Sequence, residues 1–367
     1  MVTHQSTTQQ REEGMPPTEI RIAPQALEAF TRTVFTCAGL PPEDAAIEAE
    51  VLVWANLRGV DSHGVLRIPW YLDNIEKGWM NPRPHITVLK ETPAVLYLDA
   101  DRAFGPVVTV DAMRRVMEKA RTVGIGWALL RNVTHQGAIG YYALMAAEAG
   151  MAGIAIVCSP PNMAPFGARA AGVHNSPIAL AVPAGPYPPL VLDMATSIVA
   201  GGKLEVALDK RIPLGDGWAL DASGNPTTDP KLARILMPAG GPKGSGLALM
   251  FQCLTSLMAN NPLIVPTLQG QNLGHMQNSV VAAIDISLFH DVAEFKAQVD
   301  ETIDHLKVLP KADGFTDILM PGEPEQRTVP DRSRNGIPLP PGTVDRLRAA
   351  AQRFGLPLPE ELQEWNA

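Results

Sequence analysis

Apolar residues in the first part of the chain recur at the three-to-four-residue spacing of amphipathic helices. The segment ALEAFTRTVFTCAGL predicts one helix, which ends at Gly39, and PPEDAAIEAEVLVWANL predicts a second. Proline suits the first turn of a helix because the N–H there has no partner within the helix, and acidic residues suit its positive end. The region from Pro24 to Leu57 is therefore predicted to be helical.

Further along, short apolar runs alternate with helical patterns. The runs around ITVLKE, AVLYLDA, IGWALLRNV, MAGIAIVCS, PIALAVPAG, LVLDMATS and SVVAAIDI predict strands. Helices are predicted for GPVVTVDAMRRVMEKARTVG, AIGYYALMAAEAG, SIVAGGKLEVALDKR, KGSGLALMFQCLTSLMAN, DVAEFKAQVDETIDHLKVL and PGTVDRLRAAAQRFG. A proline-rich loop is predicted from Pro321 to Pro341. This alternation indicates an α/β protein.

Composition narrows the function classes. The 367 residues are 46% hydrophobic and 19% charged, as in globular proteins, and the net charge of −8 argues against a nucleic-acid or anionic-membrane partner. No apolar run approaches the roughly 18 residues that span a bilayer, and residues 1–19 read as a disordered tail without a signal peptide. Three widely spaced cysteines and the lack of CxxC or HExxH motifs predict a cytoplasmic protein without a metal site.

The stretch RGVDSHGVLRIPWY concentrates polar groups within an apolar region. His63, Arg67 and Tyr71 would share one face of a continuous helix, although Pro69 interrupts it. The arginine fork suits a carboxylate, and Ser62 could hold a further oxygen. Two interpretations stay open here, namely a solvated helix face and a pocket that grips a small anion.

His135 in NVTHQGAIGYY follows a predicted strand and precedes a helix predicted to begin near Ala138. An imidazole titrates near neutrality, so this residue is a candidate proton acceptor or donor. The alternative is an exposed loop histidine without a catalytic role.

Lys243 lies in the glycine-rich segment AGGPKGSGLALM, which leads into a predicted helix and could bind phosphate or carboxylate. The segment lacks the order of a P-loop, and no GxGxxG follows a strand. A dinucleotide would therefore bind outside a Rossmann unit.

Five motifs occur together in a recognisable order, namely DSHGVLRIPWYLDNIEKG, THQGAIGYY, PFGARAAGVHNSPIALAVPAG, LDMATS and GPKGSGLALM. With them the sequence, from about residue 20 to residue 350, resembles the type 2 malate/L-lactate dehydrogenase family. That family includes ureidoglycolate dehydrogenase, sulfolactate dehydrogenase and piperideine-2-carboxylate reductase.

The resemblance implies a non-Rossmann α/β fold with a mostly antiparallel central sheet and a helical domain built from both chain ends. Residues 20–95, completed by 328–367, would form the helical substrate-side domain, and 96–327 the NAD(P)-binding domain. A homodimer with the active site near its interface is also implied.

The resemblance further implies that His135 is the proton acceptor, with Arg67 and His63 as the other catalytic residues. Ser62, His63, Arg67 and Tyr71 would hold the substrate carboxylate and neighbouring oxygens. The implied cofactor contacts are Ser159, Asp193, Met194, Ala195, Thr196, Lys243, Glu323 and Arg327.

The sequence departs from the family pattern at two places. His174-Asn175-Ser176-Pro177 stands where relatives commonly read Gly-Thr-Asn-Pro, and Pro160 follows Ser159 where threonine or aspartate is common. The choice between NAD and NADP and the natural substrate therefore stay open. The expected reaction is hydride transfer between the nicotinamide of NAD(P) and C2 of a small 2-hydroxy acid. The alternatives are reduction of a cyclic 2-imino acid and a non-catalytic NAD(P)-binding protein.

Overall fold

The computed structural model describes residues 20–363. Its strands are β1 (Ile20–Ile22), β2 (Thr87–Glu91), β3 (Val95–Asp99), β4 (Ile125–Val133), β5 (Met151–Cys158), β6 (Ile178–Val182), β7 (Leu190–Met194), β8 (Ala219–Leu220), β9 (Pro226–Thr227), β10 (Ile235–Leu236), β11 (Gln277–Asp285) and β12 (Ile337–Leu339). Its α-helices are α1 (Pro24–Cys37), α2 (Pro42–Leu57), α3 (Ile68–Glu76), α4 (Gly105–Val123), α5 (Gly140–Glu148), α6 (Gly201–Lys210), α7 (Pro242–Gln252), α8 (Ile264–Leu268), α9 (Val292–Lys307), α10 (Glu323–Asn335), α11 (Pro341–Phe354) and α12 (Glu360–Gln363). The predicted α/β class is confirmed.

A seven-stranded sheet in the order β2-β3-β4-β11-β5-β6-β7 forms the centre of the molecule. The sheet is mixed, since β3 and β4 run parallel while the other neighbouring pairs run antiparallel. Helices α4 and α5 pack on it and bury the apolar faces of β4, β5 and β11 in one hydrophobic cluster. The sheet thereby fixes the loop between β4 and α5, where His135 lies.

A second hydrophobic cluster combines residues from both ends of the chain. Leu27 and Phe35 of α1 and Leu52 of α2 share this core with Leu347 of α11. Strand β1 pairs antiparallel with β12, which ties the two chain ends together. The division into two domains stays a prediction. Helix α10 runs across its boundary between residues 327 and 328, and residues 1–19 of the predicted tail lie outside the described residues.

One predicted loop is wrong. The segment from Pro321 to Pro341 contains α10 and β12, and Pro330 lies inside the helix. Acidic residues in the first turn of α10 and arginines in its last turn match the helix dipole. A proline within a helix removes one hydrogen bond but does not forbid the helix when other contacts hold it. A three-stranded sheet of β10, β8 and β9 was also not predicted.

Candidate active site

A cavity of about 840 Å³ opens between the helices from the chain ends and the β7 edge of the central sheet. Most of its wall comes from six segments, within residues 54–67, 135–140, 174–177, 191–195, 200–205 and 319–325, and Val157, Asn162 and Gln277 complete it. Several of the residues singled out in the sequence line it together: Ser62, His63, Arg67, His135, Asp193, Met194 and Ala195. The structure thus brings side chains far apart in sequence to one place.

The polar stretch after α2 does not form a continuous helix. Two 3₁₀ turns, Asp61–His63 and Val65–Arg67, precede α3. Asp61 accepts two hydrogen bonds from the guanidinium of Arg332 in α10, at 2.6 and 3.0 Å, and one from the Asn56 side chain at 2.7 Å. Asp61 therefore anchors this stretch, while His63 and Arg67 reach the cavity.

Gly64 separates the two turns and lies tightly against Asn56. A Cβ atom on Gly64 would stand 2.1 Å from Oδ1 of Asn56, the oxygen that accepts the Val65 N–H. We expect Gly64→Ala to lower the free energy of unfolding by about 1–3 kcal/mol, as overpacking does, and to reduce activity as well. Denaturant unfolding measures the effect. Gly342→Ala is the control, because a Cβ there meets nothing within 4 Å, and equal unfolding energies for the two variants would contradict the expectation.

His135 lies between the end of β4 and the start of α5, with its ring held on several sides. Nδ1 and the hydroxyl of Tyr71 share a hydrogen bond of 2.7 Å. The His63 ring stacks on it at 5.6 Å between centroids, and the Trp70 ring meets it edge-on at 5.5 Å. The ring is accessible from the cavity yet enclosed by protein. Burial, and then the charge of Arg67, lower its pKa well below the usual 6.5, so the imidazole is neutral at pH 7.

His63 and Arg67 form the neighbouring wall. Burial and the Arg67 charge lower the pKa of His63 to about 4, and its Nδ1 lies 2.9 Å from the Ser62 hydroxyl. Arg67 Nε donates to the Ser62 carbonyl oxygen at 2.7 Å, which fixes the plane of the guanidinium. One terminal amino group stands 3.7 Å from Glu205 of α6. The fork is thus oriented and can receive a carboxylate.

The end of β7 supplies the opposite wall. Asp193 accepts a 2.7 Å hydrogen bond from the backbone N–H of Gly140 at the start of α5. Its side chain is open to the cavity, and desolvation by the surrounding protein raises its pKa to about 6. The backbone N–H of Thr196 donates to Asn175, whereas the buried Thr196 hydroxyl has no partner within residues 20–363.

Other predicted site residues do not line the cavity. Tyr71 is fully buried behind His135. Glu323 accepts hydrogen bonds from Lys307 and from the backbone of Met320, and Arg327 contacts Glu323. These ion pairs hold the segment 319–325, whose residues do reach the cavity. The remaining predicted residues outside the lining are Ser159, Thr196 and Lys243.

No group of three or more His, Cys, Asp or Glu side chains is arranged to hold a metal ion in the part of the chain that the structure describes. No helix within residues 20–363 is long and apolar enough to cross a membrane.

A protein-family model described as malate/L-lactate dehydrogenase matches residues 22–348. The chain belongs to this family. An L-sulfolactate dehydrogenase from Methanocaldococcus jannaschii is 38% identical over 328 residues, covering 89% of this chain and 94% of that protein. A malate dehydrogenase from Pyrococcus abyssi is 38% identical over 350 residues, covering 92% and 96%. An Escherichia coli K12 protein named ureidoglycolate dehydrogenase (NAD(+)) is 32% identical over 311 residues, covering 83% and 88%.

The solved structure of the sulfolactate dehydrogenase from Methanocaldococcus jannaschii matches with a TM-score of 0.82 at 36% identity. The match covers 93% of this chain and 98% of that one. The family resemblance derived from the five motifs is therefore confirmed.

Of the residues that depart from the family pattern, some line the cavity and others do not. His174 and Asn175 line the cavity, and burial lowers the pKa of His174 to about 3, so its imidazole is neutral. Ser176 is fully buried and does not line the cavity, and its hydroxyl lies 3.1 Å from the Cys158 sulfur. Pro160 does not line the cavity.

Sequence reasoning missed several charged groups of the cavity wall. Arg58 is largely buried, stacks on Trp54 at 5.0 Å and donates to Gln326 at 2.8 Å. Lys203 and Glu205 of α6 also line the cavity. Arg58 opens the polar stretch and could have been included on that ground, whereas nothing near α6 in sequence indicates that it faces the site.

Proposed function

We propose that this chain is an NAD(P)-dependent oxidoreductase that exchanges a hydride between the nicotinamide ring and C2 of a small 2-hydroxy acid or the matching 2-oxo acid. The proposal rests on one observation. An arginine fork, Arg67, and a neutral imidazole, His135, come from separate parts of the chain and line one cavity. The reaction of a 2-hydroxy acid needs one group that binds the carboxylate and one group that transfers the hydroxyl proton.

Arg67 would bind the substrate carboxylate at two points, since its Nε is already held by Ser62 and its plane is fixed. A carboxylate held in this way leaves the C2 hydroxyl free to meet a second group, and His135 on the same cavity is placed for that contact. Orientation of this kind can supply several kcal/mol of barrier lowering. His63 and Ser62 would fill the space beside the carboxylate.

The residues around the cavity also fit a dinucleotide. Carboxylates at Asp193 and Glu325 would accept hydrogen bonds from ribose hydroxyls, and Arg58 and Lys203 would suit phosphates. When bound, the nicotinamide supplies the redox chemistry. Such a site would use a mostly antiparallel sheet rather than a Rossmann unit.

The proton-transfer role of His135 predicts a pH profile. Oxidation of the hydroxy acid needs the neutral imidazole, so activity is lost as the pH falls through the pKa of His135. Because burial and Arg67 hold that pKa well below 6.5, we expect kcat/KM for oxidation to stay flat from neutral pH down through 6.5 and to fall only below it. Initial rates measured across a range of pH give the pH at which kcat/KM begins to fall. An acid limb at 6.5 or above would contradict the assignment.

A substrate panel tests the function. Lactate, malate, sulfolactate and ureidoglycolate are offered with NAD and NADP, and a cyclic 2-imino acid with NADH and NADPH, with reduced nicotinamide followed by absorbance. We expect oxidation of at least one hydroxy acid. Turnover of the imino acid alone would favour the imine reductase, and a change in NADH fluorescence without turnover would favour a binding protein. Absence of any NAD(P)H binding would refute the proposal.

We also propose the predicted division into two domains.

A homodimer is proposed as well. Apolar side chains are exposed along α7, the π-helical turn that follows it, and α8: Leu247, Leu249, Met250, Leu257, Met258, Val265 and Leu268. Exposed apolar surface on a soluble protein commonly marks a protein–protein contact. Light scattering is expected to give twice the chain mass of 39.4 kDa, and Leu249→Glu combined with Met250→Glu should reduce it to one chain. A monomeric wild-type protein would rule the dimer out.

The cysteines support a cytoplasmic location. Cys37, Cys158 and Cys253 are all free thiols, as is usual in a reducing compartment.

A further inference from the structure

Tyr71 occupies a place that a substrate-binding residue would not. It lies in the first turns of α3 and is fully buried. Its ring packs against Phe35 and Phe104, with centroids 6.1 and 6.0 Å away. Only its hydroxyl approaches the site, and it does so from behind His135. The Tyr71 hydroxyl makes one hydrogen bond, to Nδ1 of His135, and a buried hydroxyl is costly to leave without a partner, so this bond holds the two side chains together.

That hydrogen bond decides which nitrogen of His135 meets a ligand. Nδ1 lies 2.7 Å from the Tyr71 hydroxyl, and when Nδ1 is unprotonated it also accepts a longer hydrogen bond of 3.3 Å from the backbone N–H of Gly137. Nε2 makes no hydrogen bond within residues 20–363, while the ring lines the cavity. The stacked His63 and the perpendicular Trp70 keep the ring from turning over. Nε2 is therefore the atom available to a substrate oxygen.

We propose that Tyr71 is a positioning residue, which holds His135 with Nε2 toward the substrate and supports proton transfer in both directions. This inference rests on the proposed function. Unlike a carboxylate, which only accepts, a phenol hydroxyl can donate or accept a hydrogen bond. Tyr71 can therefore accept from a protonated Nδ1 and, after its hydroxyl hydrogen turns, donate to an unprotonated Nδ1. Both neutral forms of the imidazole keep a partner.

The proton balance follows from this arrangement. In oxidation, the substrate O–H bond breaks and an Nε2–H bond forms, while the C2 hydride leaves to NAD(P)⁺. The imidazolium keeps its Nδ1–H, which donates to the Tyr71 oxygen. In reduction, His135 first takes up a proton from solvent, and the resulting imidazolium gives its Nε2–H proton to the carbonyl oxygen as C2 receives the hydride from NAD(P)H; the neutral imidazole that remains keeps its Nδ1–H on the Tyr71 oxygen. Tyr71 keeps its own proton throughout, since burial raises its pKa well above 10.

Tyr71→Phe tests the inference, because it removes the hydroxyl and keeps the ring. We expect kcat to fall about 10–100-fold in both directions, as small misplacements of catalytic groups do. The KM of the acid and the Kd of NADH, measured by fluorescence, should change little. Tyr97→Phe is the matched control, since its hydroxyl donates to the Ala259 carbonyl away from the cavity. This variant should keep wild-type kcat.

A second measurement reports directly on the protonation and hydrogen bonding of the His135 imidazole. In ¹⁵N-histidine spectra of the whole protein, Tyr71→Phe should move the His135 nitrogen signals, whereas Tyr97→Phe should not. A raised KM with kcat retained would place Tyr71 on the substrate and overturn the inference. Unchanged kcat and unchanged His135 signals would also overturn it. If His135→Ala is inactive while Tyr71→Phe is fully active, the inference alone fails; if His135→Ala remains active, the proposed function fails.

Discussion

Replacement of His135 by alanine is expected to lower kcat by about 10²–10⁴-fold, the usual contribution of a positioned acid–base group. The neutral imidazole would receive the hydroxyl proton. Stacked His63 has its own Nδ1 beside Ser62, and its pKa of about 4 makes it a weak base. Affinity for NADH should remain near that of the wild type, because His135 makes no predicted contact with the cofactor.

Initial rates in both directions and NADH fluorescence separate these effects. His135→Gln is added because it fills the space between His63 and Trp70 better than alanine. His290→Ala serves as the control, since its ring faces Glu294 at 3.5 Å on α9, away from the cavity. If both His135 variants lose NADH binding together with activity, His135 has a structural role.

Arg67→Lys has the second large expected effect. Lysine keeps the positive charge, so the electrostatic influence on the pKa of His135 is retained and only the geometry changes. One ammonium cannot reproduce a two-point contact. Since a hydrogen bond to a charged group contributes about 1.5–3 kcal/mol, the loss of one corresponds to about a 10–150-fold lower kcat/KM. The KM of the acid should rise and kcat should fall, while the Kd of NADH is unchanged.

Steady-state kinetics with the best substrate of the panel measures this change. Arg121→Lys is the control, because Arg121 lies on the exposed side of α4 and pairs with Glu118. Unchanged kinetics of Arg67→Lys would remove Arg67 from the site and, with it, the observation on which the proposed function rests.

Much of the fold could be predicted because its signals are local. Helices α1 and α4 have a clear apolar periodicity, strands β5 and β11 are continuous apolar runs, and these elements occur where expected. Helix α10 was missed because Pro324 and Pro330 indicate a loop. Its stability comes instead from tertiary contacts such as Arg332 with Asp61, which lie far apart in sequence.

The site was predictable only in part. Motifs indicated Arg67 and His135, but side-chain direction depends on the two 3₁₀ turns and on α3, which spacing alone does not define. Tyr71 accordingly points behind His135 and not into the cavity. Glu323 was predicted to contact the cofactor. In the structure its carboxylate forms an ion pair with Lys307 and does not line the cavity. Such partners come from distant segments, so no local pattern could have indicated them.

The shared core of the two chain ends has a consequence for biosynthesis. Helices α1 to α3 leave the ribosome early, yet the apolar face that they present is covered only when β12 and α11 arrive. At a synthesis rate of about 5–20 residues per second, the intervening segment takes on the order of 10–50 s. During that interval the nascent chain carries an unprotected surface that a chaperone can bind.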